Sequence, residues 1–244
     1  MGYRLEIAAE RLIIALDDLD FVSAIKLAEL TKPYAKTFKV GLSLFSGYGQ
    51  ALVSALNSLG VGVFLDLKLC DIPMQVEKTI EALRTQNLRF LTVHAFGGSA
   101  MLKAAHEAVL GSGMTILSVA VLTSLSQEEF GNLGFAGSVE SGVLRLSGLA
   151  YEAGIRGFIS SPHEVARLKH ALGSDAYVVC PGIRASFDHH GDQVRTMSAT
   201  EALAEGADAL VVGRPITKAK NPVTAAEQIH LAITQALNAQ QTRR

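Results

Sequence analysis

Short apolar runs recur along the chain at intervals that suit strands separated by helices. Runs such as LIIAL at 12–16 and ILSVAVL at 116–122 show no regular alternation of polar and apolar residues. This pattern indicates strands buried on both faces, as in a parallel sheet covered by helices. We predict eight strands, at Leu12–Asp17, Thr37–Phe45, Gly62–Leu69, Phe90–Phe96, Thr115–Ser124, Gly157–Ser161, Tyr177–Arg184 and Ala209–Ile216.

The segments between these runs have a helical period. Apolar residues recur three and four positions apart at Ala51, Leu52, Ala55, Leu56 and Leu59. Capping signals such as Ser198 with Glu201, and stops such as Gly60 and Gly154, bound the helices. Eight strands that alternate with about eight helices, with no linker between them, predict a single (β/α)₈ TIM-barrel domain over residues 1–244. A doubly wound open sheet is the alternative.

Composition excludes several classes of protein. Hydrophobic residues make up 49% of the chain, and 22 Lys and Arg balance 23 Asp and Glu. A disordered chain and a basic nucleic-acid-binding surface are therefore not expected. The two cysteines, Cys70 and Cys180, are far apart and show no metal-binding spacing. Because no targeting or membrane-spanning segment is evident either, we expect a cytoplasmic protein.

Polar residues fall at the ends of the predicted strands, where a barrel carries its active site. Asp66 and Lys68 are two apart on one strand, so their side chains should project to the same side, while Leu65, Leu67 and Leu69 pack on the other. A structural salt bridge would use the same spacing. Lys39, at the same level of the second strand, favours a functional array of two lysines with Asp66 and Asp71, in which the carboxylates keep Lys68 protonated and able to donate a proton.

A second group of residues indicates a phosphate site. Pro181-Gly182-Ile183-Arg184 closes the seventh strand, and Val212-Gly213-Arg214-Pro215-Ile216 closes the eighth. Many barrels bind phosphate after these two strands, through backbone N–H groups and basic side chains. Ordinary loop glycines with solvated arginines are the alternative interpretation, but two such loops on adjacent strands favour phosphate.

The polar segment 185–197 has no helical pattern and is predicted to form a lid. It includes His189 and His190, which we interpret as loop residues because no third metal ligand has suitable spacing. His94 is expected to be a hydrogen-bonded barrel residue. Both cysteines are expected to be packed thiols, or thiols that lie behind the residues contacting the substrate, rather than nucleophiles.

Taken in order, these motifs resemble the orotidine 5'-phosphate decarboxylase family over nearly the whole chain. The matching residues are Lys39, Asp66-x-Lys68-x-x-Asp71-Ile72-Pro73, Pro181-Gly182-Ile183-Arg184, Gln193 and Val212-Gly213-Arg214-Pro215-Ile216. The resemblance implies decarboxylation of orotidine 5'-monophosphate to UMP and CO₂, the last step of de novo pyrimidine nucleotide synthesis. It implies no metal and no cofactor.

The resemblance also implies a role for each site residue. Lys68 would protonate C6 of the pyrimidine, Asp66 would lie against the departing carboxylate, and Asp71 and Ile72 would enter the partner's site in a homodimer. Asp17 and Lys39 would bind the ribose of the substrate, Thr123 its base, Gln193 its base and phosphate, and Arg184, Gly213 and Arg214 its phosphate. Pro181 would also be a substrate-binding residue.

The chain departs from the family pattern in two places. Met74 and Gln75 replace the usual Asn-Thr, so Gln75 would have to supply the ribose contact that the family makes with Thr. Ala185 replaces a second proline at the start of the lid.

Two other functions remain open at this stage. One is a Mg²⁺-dependent 3-keto-L-gulonate 6-phosphate decarboxylase or hexulose-phosphate synthase, but those enzymes have an acidic residue where this chain has Lys39, and an ammonium cannot ligate a metal. The other is a barrel that binds a nucleotide without turning it over. Such a barrel would be expected to lose part of the charge array, which is intact here.

Overall fold

Eight parallel strands close into a barrel in a computed structural model that describes residues 2–184 and 197–242. Each strand pairs with its neighbours in the sequence, and the last strand pairs with the first. The (β/α)₈ prediction is therefore confirmed, and the open sheet is excluded. The strands are β1 Leu12–Ala15, β2 Thr37–Gly41, β3 Gly62–Leu69, β4 Leu88–His94, β5 Thr115–Val119, β6 Gly157–Ile159, β7 Tyr177–Cys180 and β8 Ala209–Val212.

Helices cover the outside of this barrel. The glycines predicted to end helices do so with positive φ, as at Gly60 and Gly154. Ser198 and Glu201 form the predicted capping box. The helices are α1 Gly2–Arg11, α2 Phe21–Thr31, α3 Leu42–Ser58, α4 Pro73–Leu83, α5 Gly98–Val109, α6 Gln127–Asn132, α7 Val139–Glu152, α8 Val165–Leu172, α9 Ala199–Ala204, α10 Arg214–Thr217 and α11 Pro222–Thr242.

Several strands are shorter than predicted. The second strand ends at Gly41 instead of Phe45, and the eighth ends at Val212 instead of Ile216. In both places the remaining apolar residues begin a helix, α3 or α10, because a short apolar run has the same appearance in a strand and in a buried helical turn. The predicted seventh strand divides: Ile183–Arg184 leaves the barrel and pairs with Met197–Ser198.

Two apolar layers fill the structure. The larger lies between strands and helices, and a smaller cluster occupies the barrel interior. Within that cluster the rings of Phe64 and Phe90 meet edge to face with their centroids 5.8 Å apart, and Phe90 stacks on Tyr177. Lys39 on β2 pairs with Phe64 on β3, so this lysine lies at the level of the aromatic rings in the barrel interior. The interior cluster contains Ile13, Ala15, Phe64, Phe90, Leu117, Val179, Ala209 and Val211.

In the described part of the chain, no helix is both long and apolar enough to cross a membrane. Cys70 is exposed and Cys180 is buried, and both are free thiols. Burial raises the pKa of the Cys180 thiol, so this cysteine is a packed residue and not an activated nucleophile.

Candidate active site

A cavity of about 660 Å³ opens at the carboxyl ends of the barrel strands. Its position is the one at which a TIM barrel carries its active site. Nine of the residues predicted from the sequence line this cavity: Asp17, Lys39, Asp66, Lys68, Thr123, Pro181, Arg184, Gly213 and Arg214.

Four charged side chains form a continuous array along one wall. Lys39 Nζ lies 2.6 Å from Asp17 Oδ2 and 3.4 Å from Asp66 Oδ2, and Lys68 Nζ lies 2.8 Å from Asp66 Oδ1. The side chains of Lys39 and Asp66 are only 11% and 14% exposed, whereas Lys68 is 32% exposed at the open end. The array therefore presents Lys68 to the cavity and buries the carboxylate that holds it.

The array contains a second aspartate besides Asp66. Within one chain it is Asp17, at the end of β1, and not Asp71. Asp71 lies beyond β3 on the surface, where its Oδ1 accepts a hydrogen bond from the Ile72 N–H at 2.6 Å. Simple strand alternation could not reveal this, because it describes one strand and Asp17 belongs to another.

The backbone around Lys68 departs from a regular strand. Asp66 and Lys68 do face the same side, and Leu65, Leu67 and Leu69 pack into the outer layer as predicted. However, Lys68 has φ of 49°, in the left-handed region, and the pairing between β3 and β4 shifts between Leu65 and Leu69. The strand is therefore bulged at its catalytic-site end.

The two lysine ammonium groups determine the protonation state of Asp66. Burial alone would raise the pKa of Asp66, but the ammonium groups of Lys39 and Lys68, with hydrogen bonds from Lys68 and Thr92, together hold that pKa below its ordinary value. Asp66 is therefore a carboxylate at neutral pH. Burial, followed by the positive charge of Lys68, lowers the pKa of His94, which favours a neutral imidazole.

A close approach at the end of β2 explains a glycine in the site. A Cβ atom placed on Gly41 would overlap Asp17 Oδ1 and would lie 3.3 Å from Lys39 Nζ. The Asp17–Lys39 ion pair thus occupies space that only glycine leaves open.

The two glycine–arginine loops follow β7 and β8 and line the same cavity. Arg184 follows β7 and belongs to the short strand pair, while Gly213 precedes α10, whose first residue is Arg214. Gly182 has φ of 80°, a conformation that favours glycine. Backbone N–H groups and two guanidinium groups at one end of a cavity suit a phosphate dianion.

Part of the cavity wall is apolar. Phe64, Val119, Val121, Ile159 and Val211 line it. A planar aromatic base could pack on these side chains, with Thr123, in the loop after β5, at its edge.

Some predicted residues lie elsewhere. Ile72 and Gln75 are exposed, like Asp71, and do not line the cavity. Gln193 and the segment 185–196, with Ala185, His189 and His190, lie outside the described residues. His94 is half-buried and stacks on Phe96 with their ring centroids 4.7 Å apart, and its Nδ1 accepts a hydrogen bond from the Phe96 N–H at 3.4 Å, as expected of a hydrogen-bonded barrel residue.

Sequence reasoning missed other residues at the site. Thr92 contacts both Asp66 and Lys68, and the only signal for it was a polar residue in the apolar fourth strand. Asp18 also lines the cavity, and its carboxylate lies 3.8 Å from the Lys218 ammonium. Across residues 2–184 and 197–242, no group of three or more His, Cys, Asp or Glu side chains could hold a metal ion.

Known proteins are similar to this chain in sequence and in fold. The orotidine 5'-phosphate decarboxylase of Anaeromyxobacter sp. (strain K) is 43% identical over 221 residues, which cover 91% of this chain and 97% of that protein. The orotidine 5'-phosphate decarboxylase of Moorella thermoacetica is 42% identical over 230 residues, 91% of each chain. The crystal structure of orotidine 5'-phosphate decarboxylase from Lactobacillus acidophilus matches with a TM-score of 0.80 and 35% identity, and the match covers 92% of this chain and 99% of that one.

The sequence model of the orotidine 5'-phosphate decarboxylase / HUMPS family matches residues 10–229. This range includes the whole barrel and every described residue of the cavity wall. With the identity to the two bacterial relatives and the shared barrel, this match shows that the chain belongs to the orotidine 5'-phosphate decarboxylase / HUMPS family.

Proposed function

We propose that this protein decarboxylates orotidine 5'-monophosphate to UMP and CO₂, the last step of de novo pyrimidine nucleotide synthesis. The observation that carries the proposal is the presence of a buried charge array and of two glycine–arginine loops in one cavity. The relatives at about 40% identity are orotidine 5'-phosphate decarboxylases, which supports the same substrate. In this proposal residues 1–244 form one catalytic domain.

Lys68 is the proton donor in this mechanism. The bond between C6 and the carboxylate carbon breaks, CO₂ leaves, and the electron pair remains at C6. The Lys68 ammonium then transfers one proton to C6, and the neutral amine regains a proton from solvent. Its position 2.8 Å from Asp66, at the open end of the array, supports this role because the ammonium is fixed and still reaches the cavity.

Asp66 and Lys39 set the electrostatics around the reacting carbon. The substrate carboxylate would lie against Asp66, whose low pKa keeps it ionised. Lys39 is held between Asp17 and Asp66, so it fixes both carboxylates while it contacts a ribose hydroxyl. Asp17, 42% exposed at the cavity, is available for the same ribose.

The remaining contacts bind the base and phosphate. Thr123 would contact the pyrimidine edge, and Arg184, Gly213 and Arg214 would hold the phosphate. Pro181, which has no N–H group to donate, would line the same site. Gln193 would join base and phosphate when the lid closes. Binding energy from the remote phosphate can then be used to order the lid and the charge array, which raises the rate at the reacting carbon.

A homodimer completes each site in this proposal. The segment from Cys70 to Gln75 is exposed throughout, and Ile72 and Met74 are 58% and 50% exposed. Exposed apolar side chains directly after a catalytic strand suit a protein interface. Asp71, Ile72 and Gln75 would thereby reach the partner's active site. We place the enzyme in the cytoplasm, as predicted from the cysteines.

The other two functions are less well supported. In a Mg²⁺-dependent enzyme a cation would bridge the carboxylates near the end of β2, but the Lys39 ammonium lies between Asp17 and Asp66 instead. A binding protein without activity would not need a lysine at the position of Lys68. This residue lines the cavity and has a backbone in the left-handed region, a conformation that is unfavourable for a residue other than glycine.

The direct test follows the loss of orotidine 5'-monophosphate absorbance, with and without a chelator. Turnover that survives chelation is expected, and no turnover of this substrate would end the proposal. Lys68→Ala should abolish turnover while UMP binding is largely kept, because proton donation acts mainly in the transition state. A Lys68→Ala protein that binds UMP poorly yet turns over normally would show that Lys68 is only a binding group.

A further inference from the structure

Thr92 is a buried polar residue at the centre of the charge array. It lies on β4 with none of its surface exposed. Its Oγ1 donates a hydrogen bond to Asp66 Oδ1 at 2.9 Å and accepts one from the backbone N–H of Lys68 at 2.8 Å. One hydroxyl therefore contacts both the carboxylate and the backbone of the lysine that the mechanism uses.

The bulge in β3 explains why this hydroxyl is needed. Leu65 pairs with Leu91 and Leu69 pairs with Val93, so the three residues 66–68 lie opposite Thr92 alone. A bulge leaves backbone groups without their ladder partners. The Thr92 hydroxyl supplies an acceptor to the Lys68 N–H at this point, where Lys68 itself adopts φ of 49°.

We propose that Thr92 is a positioning residue for the decarboxylation reaction. Its hydroxyl holds the bulge in the one conformation that brings the Lys68 ammonium and the Asp66 carboxylate together. This inference rests on the proposed roles of Lys68 and Asp66. Thr92 does not line the cavity, so it acts through these two residues and not on the substrate.

Thr92→Val tests the hydroxyl, because valine keeps the branched shape and removes both hydrogen bonds. The expected result is a kcat lower by about 10- to 100-fold, the loss that corresponds to a hydrogen bond to a charged group. KM should stay near the wild-type value, since Asp66 and Lys68, the two residues that the Thr92 hydroxyl contacts, are not among the proposed phosphate contacts. Turnover is expressed per site that binds UMP, measured by calorimetry, so that unfolded protein does not contribute to the result.

Two matched variants control for packing. Thr92→Ser keeps the hydroxyl and should retain most of the wild-type kcat. Thr31→Val removes another fully buried hydroxyl, which donates to the Leu27 carbonyl oxygen at 2.7 Å on α2, away from the cavity. It should leave kcat unchanged.

A pH profile separates positioning from a general structural effect. The Thr92 hydrogen bond is one of the interactions that lower the pKa of Asp66. Thr92→Val should therefore shift the acid limb of kcat/KM to higher pH, whereas Thr31→Val should not.

The outcomes distinguish this inference from the proposed function. A Thr92→Val enzyme with wild-type kcat and an unshifted acid limb overturns the inference, and so does an equal loss in Thr92→Val and Thr92→Ser. In either case an inactive Lys68→Ala enzyme would leave the proposed function standing. If Lys68→Ala itself is fully active, the proposed role of Lys68 fails and this inference fails with it, whereas a wild-type protein that does not turn over orotidine 5'-monophosphate would end the proposed function.

Discussion

Gly41→Ala gives a sharp test of whether the placement of Asp17 matters to catalysis. The Gly41 backbone has φ of −88° and ψ of −177°, which alanine adopts without strain. The new Cβ would overlap Asp17 Oδ1 and would lie 3.3 Å from Asp17 Cγ. The carboxylate must therefore turn away by about 1 Å to reach ordinary van der Waals contact.

The structural cost of this change is small. Moving the carboxylate about 1 Å from its 2.6 Å separation weakens the pair with Lys39 by about 2 kcal/mol at a dielectric near 20, and by about 0.5 kcal/mol at 80. Asp17 is 42% exposed, so the lower value applies. Alanine is also a poorer N-cap than glycine for α3. We expect the free energy of unfolding to fall by about 1 kcal/mol.

The catalytic cost should be much larger. A misplacement of about 1 Å in a substrate-positioning group can lower the rate by about 100-fold. The assay compares kcat/KM for orotidine 5'-monophosphate with chemical unfolding of the same proteins. Gly47→Ala is the matched control, because Gly47 lies on the same helix and an added Cβ meets nothing within 4 Å.

Two results would refute this reasoning. Wild-type kcat/KM in Gly41→Ala, with a crystal structure that shows Asp17 displaced, would mean that the position of Asp17 is not required. A loss of several kcal/mol in stability would mean that the backbone, and not the Asp17 side chain, had to move.

Three further predictions concern the phosphate, the dimer and pH. Arg214→Ala should raise KM strongly and weaken the activation of the phosphate-free nucleoside by inorganic phosphite; an unchanged preference for the phosphorylated substrate would contradict the phosphate assignment. Lys68→Ala and Asp71→Ala proteins should each be nearly inactive, but unfolding, mixing and refolding them should restore about a quarter of the sites, since about half the dimers are mixed and half of their sites carry no lesion. Mixed dimers without activity would place Asp71 outside the partner's site. For His94, the folded protein takes up the imidazole proton at a lower pH than the unfolded chain, so the free energy of unfolding should fall as pH drops below 6.5. His94→Asn removes that contribution. The free energies of unfolding of wild type and variant, measured in urea, should therefore differ more in favour of the variant as pH falls below 6.5. A difference that does not change with pH would contradict the lowered pKa of His94.

The sequence by itself determined the barrel and most of the site. Strands buried on both faces lack alternation, and helices covering them keep a 3.6-residue period, so the eightfold repeat is visible without coordinates. Parallel strands in a barrel end at the same face, so polar residues at strand ends such as Lys39, Lys68 and Arg214 had to meet there. The pattern did not determine where the strands end, because Leu42 and Phe45 are as apolar as the residues of β2 and yet belong to α3.

Only the tertiary structure decided which charged side chains form ion pairs and where β3 departs from a regular strand. Within one chain Asp17 is the second carboxylate of the array because it lies at the end of the neighbouring strand β1, and pairing across strands depends on register. The bulge at Lys68 and its hydrogen bond to Thr92 depend in the same way on how β3 aligns with β4. Side-chain alternation is a property of one strand, whereas register is set by the packing of the whole barrel, so the sequence pattern predicts which residues face the cavity but not their partners.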